Sequence, residues 1–385
     1  MTFAFIGLGL IGGSIARAIR AKYPDAEILA WDPDLLSVKI AVQDKVVTTV
    51  LPAIGPELRA ADVVFLCAPV GANADNLEKV APHLSPAAIL TDVGSVKTNT
   101  HKKVRQMHLS SQFIGGHPMA GSERIGYRNS SAQLLENAYY ALTPEADFPA
   151  EKAAWFRDFI SSIGALPMVM TCEEHDYVTA AISHLPHVVS AALVNLVKES
   201  DNEEGLMKTM AAGGFKDITR ISSSSPVMWE QICLANPENI LSLLDRYIAA
   251  LRDFREKLAE ENEDGPAAES DAGQVAVDGG MLSIHKNSDT LREYFRSAQE
   301  YRDSFSEAAS GPIKRTYALH IDIADQPGMI AEVALILANR RISIRNIGIT
   351  HNREFQEGVL RVELQNEKEE HSARMLLISK GYTVH

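Results

Sequence analysis

Short apolar runs alternate with amphipathic segments along residues 1–170 of the chain. The apolar runs are typical of buried strands, and segments such as 11–21, 72–82 and 151–163 carry apolar residues at helical spacing. Alternating strands and helices predict an α/β domain with a mostly parallel sheet, helices on both faces and antiparallel strands added at one edge. The predicted strands are 2–6, 27–31, 62–67, 88–92, 112–115, 138–142 and 166–170.

The pattern changes after residue 171, where the strand signal stops. Helix-forming residues run from Glu173 to Lys198 and are interrupted only by Pro186. An acidic stretch with Gly and Pro, Glu260 to Gly273, predicts a solvated loop with little structure. An all-helical domain with long amphipathic segments suits the core of a homodimer. Its further predicted helices are 203–212, 226–234, 237–259 and 281–308.

A Gly311-Pro312 pair marks the next boundary, and strand and helix patterns then follow in the order βαββαβ. That order predicts a small ferredoxin-like α+β domain. Its predicted elements are 315–323, 329–339, 342–350, 358–365, 368–380 and 382–385. The chain is therefore predicted to hold three domains, 1–170, 171–310 and 314–385.

Charge and cysteine content narrow the classes of partner. The 385-residue chain has 37 Lys and Arg against 50 Asp and Glu, a formal charge of −13. This balance disfavours nucleic acid and anionic membrane as partners, because both require a basic face. Three widely spaced cysteines predict reduced thiols in a cytoplasmic protein. We see no leader peptide and no uninterrupted apolar run long enough for a membrane span, so a soluble protein is expected.

The most specific local signal lies between the first two predicted strands. Strand 2–6 leads directly into a Gly-rich turn, a helix follows, and the second strand ends on Asp32. A glycine turn alone is weak evidence, but this full context is typical of a dinucleotide-binding fold. Asp32 would bind the adenosine ribose hydroxyls and repel a 2′-phosphate, which favours NAD over NADP. The residues predicted to bind the cofactor are Gly7, Leu8, Gly9, Leu10, Ile11, Gly12 and Asp32.

Three further clusters carry groups suited to chemistry. Thr91-Asp-Val-Gly-Ser-Val-Lys97 stands at the end of a predicted strand, where open α/β sheets bind ligands. Gly115-Gly-His-Pro-Met-Ala-Gly-Ser-Glu-Arg124 is a Gly-rich loop with one imidazole, His117. The third cluster lies in the helical region and comprises Ser183-His-Leu-Pro-His187, Gly213-Gly-Phe-Lys-Asp-Ile-Thr-Arg220 and Trp229.

With these clusters the chain resembles the prephenate dehydrogenase family of tyrosine biosynthesis. The matching pieces are GLGLIGGS with Asp32, TDVGSVK, GGHPMAGSE, SHLPH, GGFKDITRI and the Met228-Trp229 pair. Residues 315–385 resemble an ACT domain, a regulatory module that binds amino acids. The resemblance implies NAD+-dependent oxidative decarboxylation of prephenate to 4-hydroxyphenylpyruvate, CO2 and NADH.

The same resemblance assigns roles to individual residues. His117 would accept a hydrogen bond or proton from the substrate hydroxyl, as a neutral imidazole can. Ser95 would orient His117, and Arg220 would clamp a carboxylate, held in place by Asp217. Other residues assigned to the substrate pocket are Ser122, Glu123, Ser183, His187 and Trp229, with His184 a weaker candidate.

Each of these residues also has a purely structural interpretation. His117 could stabilise its loop, Ser95 could cap a helix that begins near Val96, and Trp229 could belong to a core. Glu123 could be an ordinary solvated acid instead of a gate at the pocket mouth. His184 and His187 are three residues apart, but no third ligand is spaced to complete a metal site, so no metal is predicted.

In the last domain, the resemblance places an amino-acid effector at a turn and a strand end. The effector residues are predicted to be Asp325, Gly328, Met329 and Asn346, and tyrosine is the expected inhibitor as the end product of the pathway.

Three other functions agree with part of the sequence pattern. An arogenate dehydrogenase would use the same site on a substrate with an amino group in place of the keto group. A non-catalytic regulator would bind NAD and an amino acid, but the basic DNA-binding helix it needs is not visible in the sequence. A β-hydroxyacid dehydrogenase would use a catalytic lysine, Lys208 or Lys216, and would leave GHPMAG and SHLPH unexplained.

Overall fold

The computed structural model forms two compact units, Met1–Glu307 and Ala308–His385. It describes residues 1–121, 124–263, 273–277, 280–284, 288–308, 317–324, 326, 328–351, 357–364 and 367–384.

The first unit is built on a sheet of eight strands in the order β3-β2-β1-β4-β5-β6-β7-β8. The first six strands are parallel to their neighbours, β7 is antiparallel to β6, and β8 is parallel to β7. The predicted antiparallel addition at one edge is thus confirmed, while the two-residue strand β3 was missed. The strands are β1 (Thr2–Ile6), β2 (Glu27–Trp31), β3 (Thr49–Val50), β4 (Val63–Leu66), β5 (Ile89–Asp92), β6 (Phe113–Pro118), β7 (Tyr139–Pro144) and β8 (Leu166–Val169).

Both faces of this sheet are buried, as the apolar runs predicted. Along β1, Phe3 and Phe5 belong to one hydrophobic cluster, whereas Ala4 and Ile6 belong to the other. Phe5 stacks on Phe65 of the neighbouring strand β4 with ring centroids 4.9 Å apart. The sheet is therefore a doubly wound Rossmann-like layer. Its helices are α1 (Leu10–Lys22), α2 (Leu35–Gln43), α3 (Val70–Val80), α4 (Thr98–Gln106) and α5 (Ala150–Ser162).

A helical layer follows the sheet, as predicted. Thr171 and Glu174 form a capping box that starts α6. The chain continues into α7 through a π-helical turn at Ala180–His184, immediately before Pro186. A proline has no backbone N–H to donate, and the wider turn lets the helix pass it without a break. The helices are α6 (Cys172–Thr179), α7 (Leu185–Ser200), α8 (Leu206–Met210), α9 (Gly213–Thr219), α10 (Pro226–Ala235) and α11 (Pro237–Glu263).

By length and composition, the run Cys172–Ser200 is long and apolar enough to cross a membrane. No other helix among the described residues meets that criterion. The polar side chains of this run argue against that placement, because His175, Asp176 and His184 are buried in one hydrogen-bonded network. An ionised carboxylate inside lipid would be costly. We therefore interpret the run as a helix packed against the rest of the unit through this network.

The structure corrects the prediction for the region after residue 260. Helix α11 extends through Glu263, because glutamate is a good helix former. Strands β9 (Gly273–Val277) and β10 (Gly280–Ile284) pair antiparallel where a loop and the start of a helix were predicted. The Asp278-Gly279 pair between two apolar runs is a hairpin signal that was overlooked. Helix α12 (Ser288–Ala308) begins seven residues after the predicted start, and residues 264–272 lie outside the described part of the chain.

The second unit is an α+β layer with its own core. Its sheet is antiparallel in the order β11-β13-β12, and Leu319, Ile321, Val333, Leu360 and Leu377 are among the fully buried residues between sheet and helices. The predicted last strand, 382–385, is reduced to one bridge between Ile321 and Val384. The predicted fold class is confirmed for both units. The elements are β11 (Tyr317–Ala324), α13 (Met329–Ala338), β12 (Ile344–His351), β13 (Glu357–Leu364) and α14 (Glu367–Ser379).

Candidate active site

The Gly-rich turn between β1 and α1 forms a cradle bounded by backbone. Gly7 has φ of +99°, and a Cβ there would lie 2.8 Å from the carbonyl carbon of Cys67. A Cβ on Gly12 would lie 2.7 Å from the Gly7 oxygen, whereas one on Gly9 would meet no atom within 4 Å. Helix α1 begins at Leu10 without a side-chain cap. Its first N–H groups and the space above Gly9 therefore suit a diphosphate.

Asp32 lies beside this cradle at the end of β2. Its carboxylate accepts hydrogen bonds from the backbone N–H of Leu8 at 2.6 Å and of Asp34 at 2.7 Å. The side chain of Leu8 is fully buried, so this residue contributes its backbone, while Leu10 and Ile11 are partly exposed in the first turn of α1. The cradle and Asp32 together fit the diphosphate and ribose of NAD.

Three hydrogen-bonded side chains lie at the carboxyl end of β6. Nδ1 of His117 is 2.8 Å from Nε2 of His175, and Nδ1 of His175 is 2.8 Å from Oδ1 of Asp176. The two oxygens of Asp176 also accept the backbone N–H groups of Lys97 and Thr98, each at 2.8 Å. Because α6 carries His175 and Asp176, the helical layer is bonded directly to the strand ends of the sheet.

Next to His117, a fully buried ion pair holds the strand ends together. Nζ of Lys97 donates to Asp92 and to the carbonyl oxygen of Gly116, the latter at 2.7 Å. Asp92 also accepts the N–H groups of Gly94 at 3.1 Å and Gly116 at 3.2 Å. Burial lowers the pKa of Lys97, and the neighbouring Asp92 opposes that shift. This pair fixes the backbone of Gly116, the residue before His117.

The electrostatic surroundings keep His117 neutral. Desolvation lowers its pKa well below 6.5, electrostatic interactions with His175, Lys97 and His184 lower it further, and Asp176 opposes the shift. An imidazole with a lowered pKa is unprotonated at neutral pH and can accept a proton.

Ser95 lies partly buried in the loop between β5 and α4. The structural alternative for this residue is wrong, because α4 begins at Thr98 with Lys97 at its N-cap position. The first turn of α4 is instead capped by the carboxylate of Asp176. The side chain of Ser95 is thus not needed for the helix.

The SHLPH segment and Trp229 form a second part of the site. The rings of His187 and Trp229 stack with centroids 3.6 Å apart, and His184 meets Trp229 edge-on at 6.1 Å. Asn236 lies between this part and the first, since its amide nitrogen donates to the Asp176 carbonyl at 2.7 Å and is 3.4 Å from Nδ1 of His184. Burial lowers the pKa of His184 to about 4 and also lowers that of His187.

Three buried polar atoms of this region have no hydrogen-bond partner within the described residues. They are Nδ1 of His187, Nε1 of Trp229 and the hydroxyl of Tyr140. Tyr140 lies against Gly116, because a Cβ on that glycine would be 3.1 Å from the phenol oxygen. Buried polar groups are nearly always bonded, so these atoms suit a polar ligand.

Arg220 lies at the end of α9 and begins a short 3-10 turn. That segment is bonded to α7, because Oγ of Ser190 donates to the Ile218 carbonyl at 3.1 Å and is 2.6 Å from Oγ of Ser222. Ser190 is one helical turn after His187, so Arg220 stands on the same side of α7 as the His187–Trp229 stack. The predicted support by Asp217 is not observed: both side chains are exposed, and no ion pair joins them in the described chain.

The remaining predicted residues are placed as follows. Ser183 is partly buried in the π-helical turn, while Ser122 and Glu123 lie outside the described residues. In the second unit, Gly328 adopts φ of +99° just before Met329 starts α13, and Asn346 is exposed at an irregularity of β12. Asp325 lies outside the described residues. No group of three or more His, Cys, Asp or Glu that could hold a metal occurs in the described part.

Four residues of the site were not predicted from the sequence: His175, Asp176, Lys97 and Asn236. Lys97 stood at the end of a quoted motif but received no role. The Thr171–Glu174 capping box could have placed His175 and Asp176 close to the start of a helix. The contact of His175 with His117, 58 residues earlier in the chain, has no local signal.

An open α/β sheet with a diphosphate cradle, joined to a helical layer that brings buried imidazoles to the strand ends, defines a nicotinamide-dependent dehydrogenase. Family models agree: the prephenate dehydrogenase nucleotide-binding domain matches residues 15–169, and the prephenate dehydrogenase dimerization domain matches residues 171–268. The chain belongs to the prephenate dehydrogenase family.

Individual relatives support the same placement. A prephenate dehydrogenase of Bacillus subtilis is 35% identical over 99% of this chain and 96% of its own length. The crystal structure of prephenate dehydrogenase from A. aeolicus with hydroxyphenyl propionate and NAD+ has a TM-score of 0.69 at 28% identity, covering 79% of this chain and 98% of that one. An arogenate dehydrogenase of Synechocystis has a TM-score of 0.65 at 29% identity, covering 79% and 100%.

Proposed function

We propose that this protein catalyses the NAD+-dependent oxidative decarboxylation of prephenate to 4-hydroxyphenylpyruvate, CO2 and NADH. The observation that carries the proposal is His117, a neutral imidazole at the same carboxyl edge of the sheet as the nucleotide cradle and bonded to a buried His–Asp pair. The near full-length similarity to the Bacillus subtilis enzyme favours prephenate over arogenate. The rival lysines of a β-hydroxyacid dehydrogenase, Lys208 and Lys216, are both exposed.

The proposed reaction assigns one proton acceptor. The turn from Gly7 to Gly12 and Asp32 would hold NAD+, which would supply the acceptor for the hydride that leaves the ring carbon bearing the hydroxyl group. His117 accepts the hydroxyl proton as that carbon is oxidised. Loss of the ring carboxylate as CO2 leaves its bonding electrons in the ring, which becomes aromatic, and His117 returns the proton to the phenol oxygen.

The other site residues hold the substrate in this proposal. Arg220 binds one carboxylate with its planar fork, and His187 donates a hydrogen bond to the substrate. Trp229, stacked on His187, forms a wall for the ring. Ser95 is proposed to contact the substrate or the nicotinamide; its predicted hydrogen bond to His117 is not seen among the described residues, where His175 bonds that ring instead. Ser183, Asp217, Ser122 and Glu123 are proposed to line the pocket and its mouth.

The direct test follows NADH formation by the purified protein with prephenate and NAD+. Matched reactions replace prephenate with arogenate and NAD+ with NADP+. Turnover of prephenate with NAD+ at the highest kcat/KM supports the proposal, and a preference for arogenate would overturn the substrate assignment. The variant His117→Asn is expected to lower kcat by about 10²-fold or more while NAD+ binding is retained. Unchanged turnover would exclude His117 as the acceptor.

A homodimer formed by the helical layer is part of the proposal. Apolar side chains on α6, the π-helical turn, α7 and α11 are exposed in the isolated chain, among them Ile182 at 63%, Leu196 at 60% and Leu241 at 60%. A patch of this kind on a soluble protein is typical of an interface. The matched dimerization-domain model covers these helices.

Tyrosine is proposed as the inhibitor bound by the second unit. Gly328, which only a residue tolerant of positive φ can replace, shapes the turn that presents Met329. Asp325 and Asn346 complete the proposed set. Titration of NADH formation with tyrosine should show inhibition in the wild type and a weaker response in Asn346→Ala, and equal inhibition of both would place the effector elsewhere.

We also propose a cytoplasmic location. All three cysteines are unpaired, and burial raises the pKa of Cys172 to about 12. Reduced, unreactive thiols fit a reducing compartment. Fractionation of the producing cells should recover the protein with cytoplasmic markers, and recovery with membranes would contradict this.

A further inference from the structure

The hydrogen-bond chain His117–His175–Asp176 also indicates which nitrogen of each imidazole carries the proton. Asp176 is ionised at neutral pH, because hydrogen bonds from His175, Thr98 and Lys97 lower the pKa of its carboxyl, although burial alone would raise it. An ionised carboxylate can only accept hydrogen bonds. The hydrogen between Asp176 and His175 must therefore belong to Nδ1 of His175.

This assignment propagates to His117. When the Nδ1–H is the one N–H that His175 carries, its Nε2 is unprotonated and can only accept a hydrogen bond. Because Nε2 of His175 lies 2.8 Å from Nδ1 of His117, the hydrogen in that contact must belong to His117. Neutral His117 consequently carries its proton on Nδ1 and presents Nε2 as a lone pair, which is the form that can accept a proton from substrate.

We infer that His175 and Asp176 are positioning residues that fix the tautomer and orientation of His117, so that its Nε2 is always the proton acceptor. The inference rests on the proposed function, because a fixed acceptor matters only if a substrate hydroxyl is oxidised there. An isolated imidazole favours the opposite tautomer, with the proton on Nε2, so the protein must impose this one.

The chain also stabilises the charge that appears during the reaction. When Nε2 of His117 accepts a proton, the imidazolium points its Nδ1–H at His175, and Asp176 is the negative group behind it. The other charged or titratable groups that act on His117 are Lys97 and His184, and both disfavour its charged form. Asp176 is thus the carboxylate that favours protonated His117.

A structural role for these residues must be separated from this one, because Asp176 also caps α4. Two substitutions at His175 make the separation. The amide of His175→Gln can donate to Asp176 and accept from His117, as the imidazole does, whereas His175→Met fills a similar volume with no acceptor nitrogen or oxygen. A packing role would favour Met at this buried position, and a tautomer role favours Gln.

The experiment measures kcat, both KM values and NAD+ affinity for wild type, His175→Gln and His175→Met. Wild-type turnover of prephenate is established first, since its failure would reject the proposed function and not the tautomer role. We expect His175→Met to lower kcat about 10- to 100-fold, as is typical when the partner that orients a functional imidazole is lost, with NAD+ affinity retained. His175→Gln should keep kcat close to the wild-type value. Equal kcat in the two variants would overturn the inference.

Two readouts follow the proton itself. In protein with 15N-labelled histidine, Nε2 of His117 should give the signal of an unprotonated nitrogen in the wild type and lose it in His175→Met. Asp176→Asn removes the charge that favours protonated His117, so the acid limb of kcat/KM should move to lower pH as kcat falls. An unchanged nitrogen signal, or an acid limb that moves to higher pH, would contradict the inference.

Discussion

The contribution of the buried Lys97–Asp92 ion pair to stability can be tested directly by substitution of Lys97. Lys97 and Asp92 are both fully buried, and Lys97 also donates to the Gly116 carbonyl at 2.7 Å. The variant Lys97→Met keeps the length and apolar stem of the side chain but removes the cation. Asp92 then retains only the N–H groups of Gly94 and Gly116, at 3.1 and 3.2 Å, against a buried negative charge.

Breaking a buried pair by removing one partner typically costs about 3–5 kcal/mol. We expect Lys97→Met to lose stability in this range, measured from urea unfolding of the full chain. The double variant Asp92→Asn with Lys97→Met no longer buries an unpaired charge, and should recover a large part of the loss.

A surface pair provides the control. Lys103 and Glu78 form an ion pair with both side chains partly or largely exposed, and Lys103→Met should change stability little, because exposed pairs are screened by solvent. A loss below about 1 kcal/mol in Lys97→Met, which is the range of an exposed pair, would refute the reasoning. So would a double variant less stable than the single one.

Three further predictions concern the cofactor and the dimer. Gly9→Ala should fold normally but bind NAD+ more weakly, because the added Cβ meets no protein atom and occupies the cradle. Gly12→Ala should lower Tm, because its Cβ would lie 2.7 Å from the Gly7 oxygen. Equal Tm values for the two variants would contradict this contrast. Asp32→Asn should raise kcat/KM for NADP+ relative to NAD+, and an unchanged ratio would place ribose recognition elsewhere. Leu196→Glu introduces a charge on the exposed apolar face and should shift the light-scattering mass from dimer to monomer, whereas a mass that stays dimeric would exclude that face.

The parts of the fold that local pattern determines were predictable. The segment from β1 to Asp32 was recognised because strand, glycine turn and helix each follow from residues adjacent in sequence. Strand β3 was missed because two exposed residues, Thr49 and Val50, carry no periodicity. The β9–β10 hairpin was missed because the acidic composition before it outweighed the Asp278-Gly279 turn signal.

The site was predictable only in part, because some of its residues are marked by local sequence and others only by long-range contacts. His117, Trp229 and the nucleotide loop stand in motifs of unusual composition, and the structure brings His117 and the His184–Trp229 cluster to one network. His175 and Asp176 follow an ordinary helix start, and their importance comes from contacts with residues 58 and 79 positions away in the chain. Contacts of this separation depend on the packing of the helical layer on the sheet.

The carboxylate of Asp176 has a consequence for how the molecule can move. It bonds the backbone of Lys97 and Thr98 on one side and His175 on the other, so the nucleotide layer and the helical layer share this one group. If the two layers separate at this point, His117 loses its orientation at the same moment that the cleft opens. Proton transfer to His117 would then depend on contact between the two layers, because that contact holds its acceptor nitrogen in place.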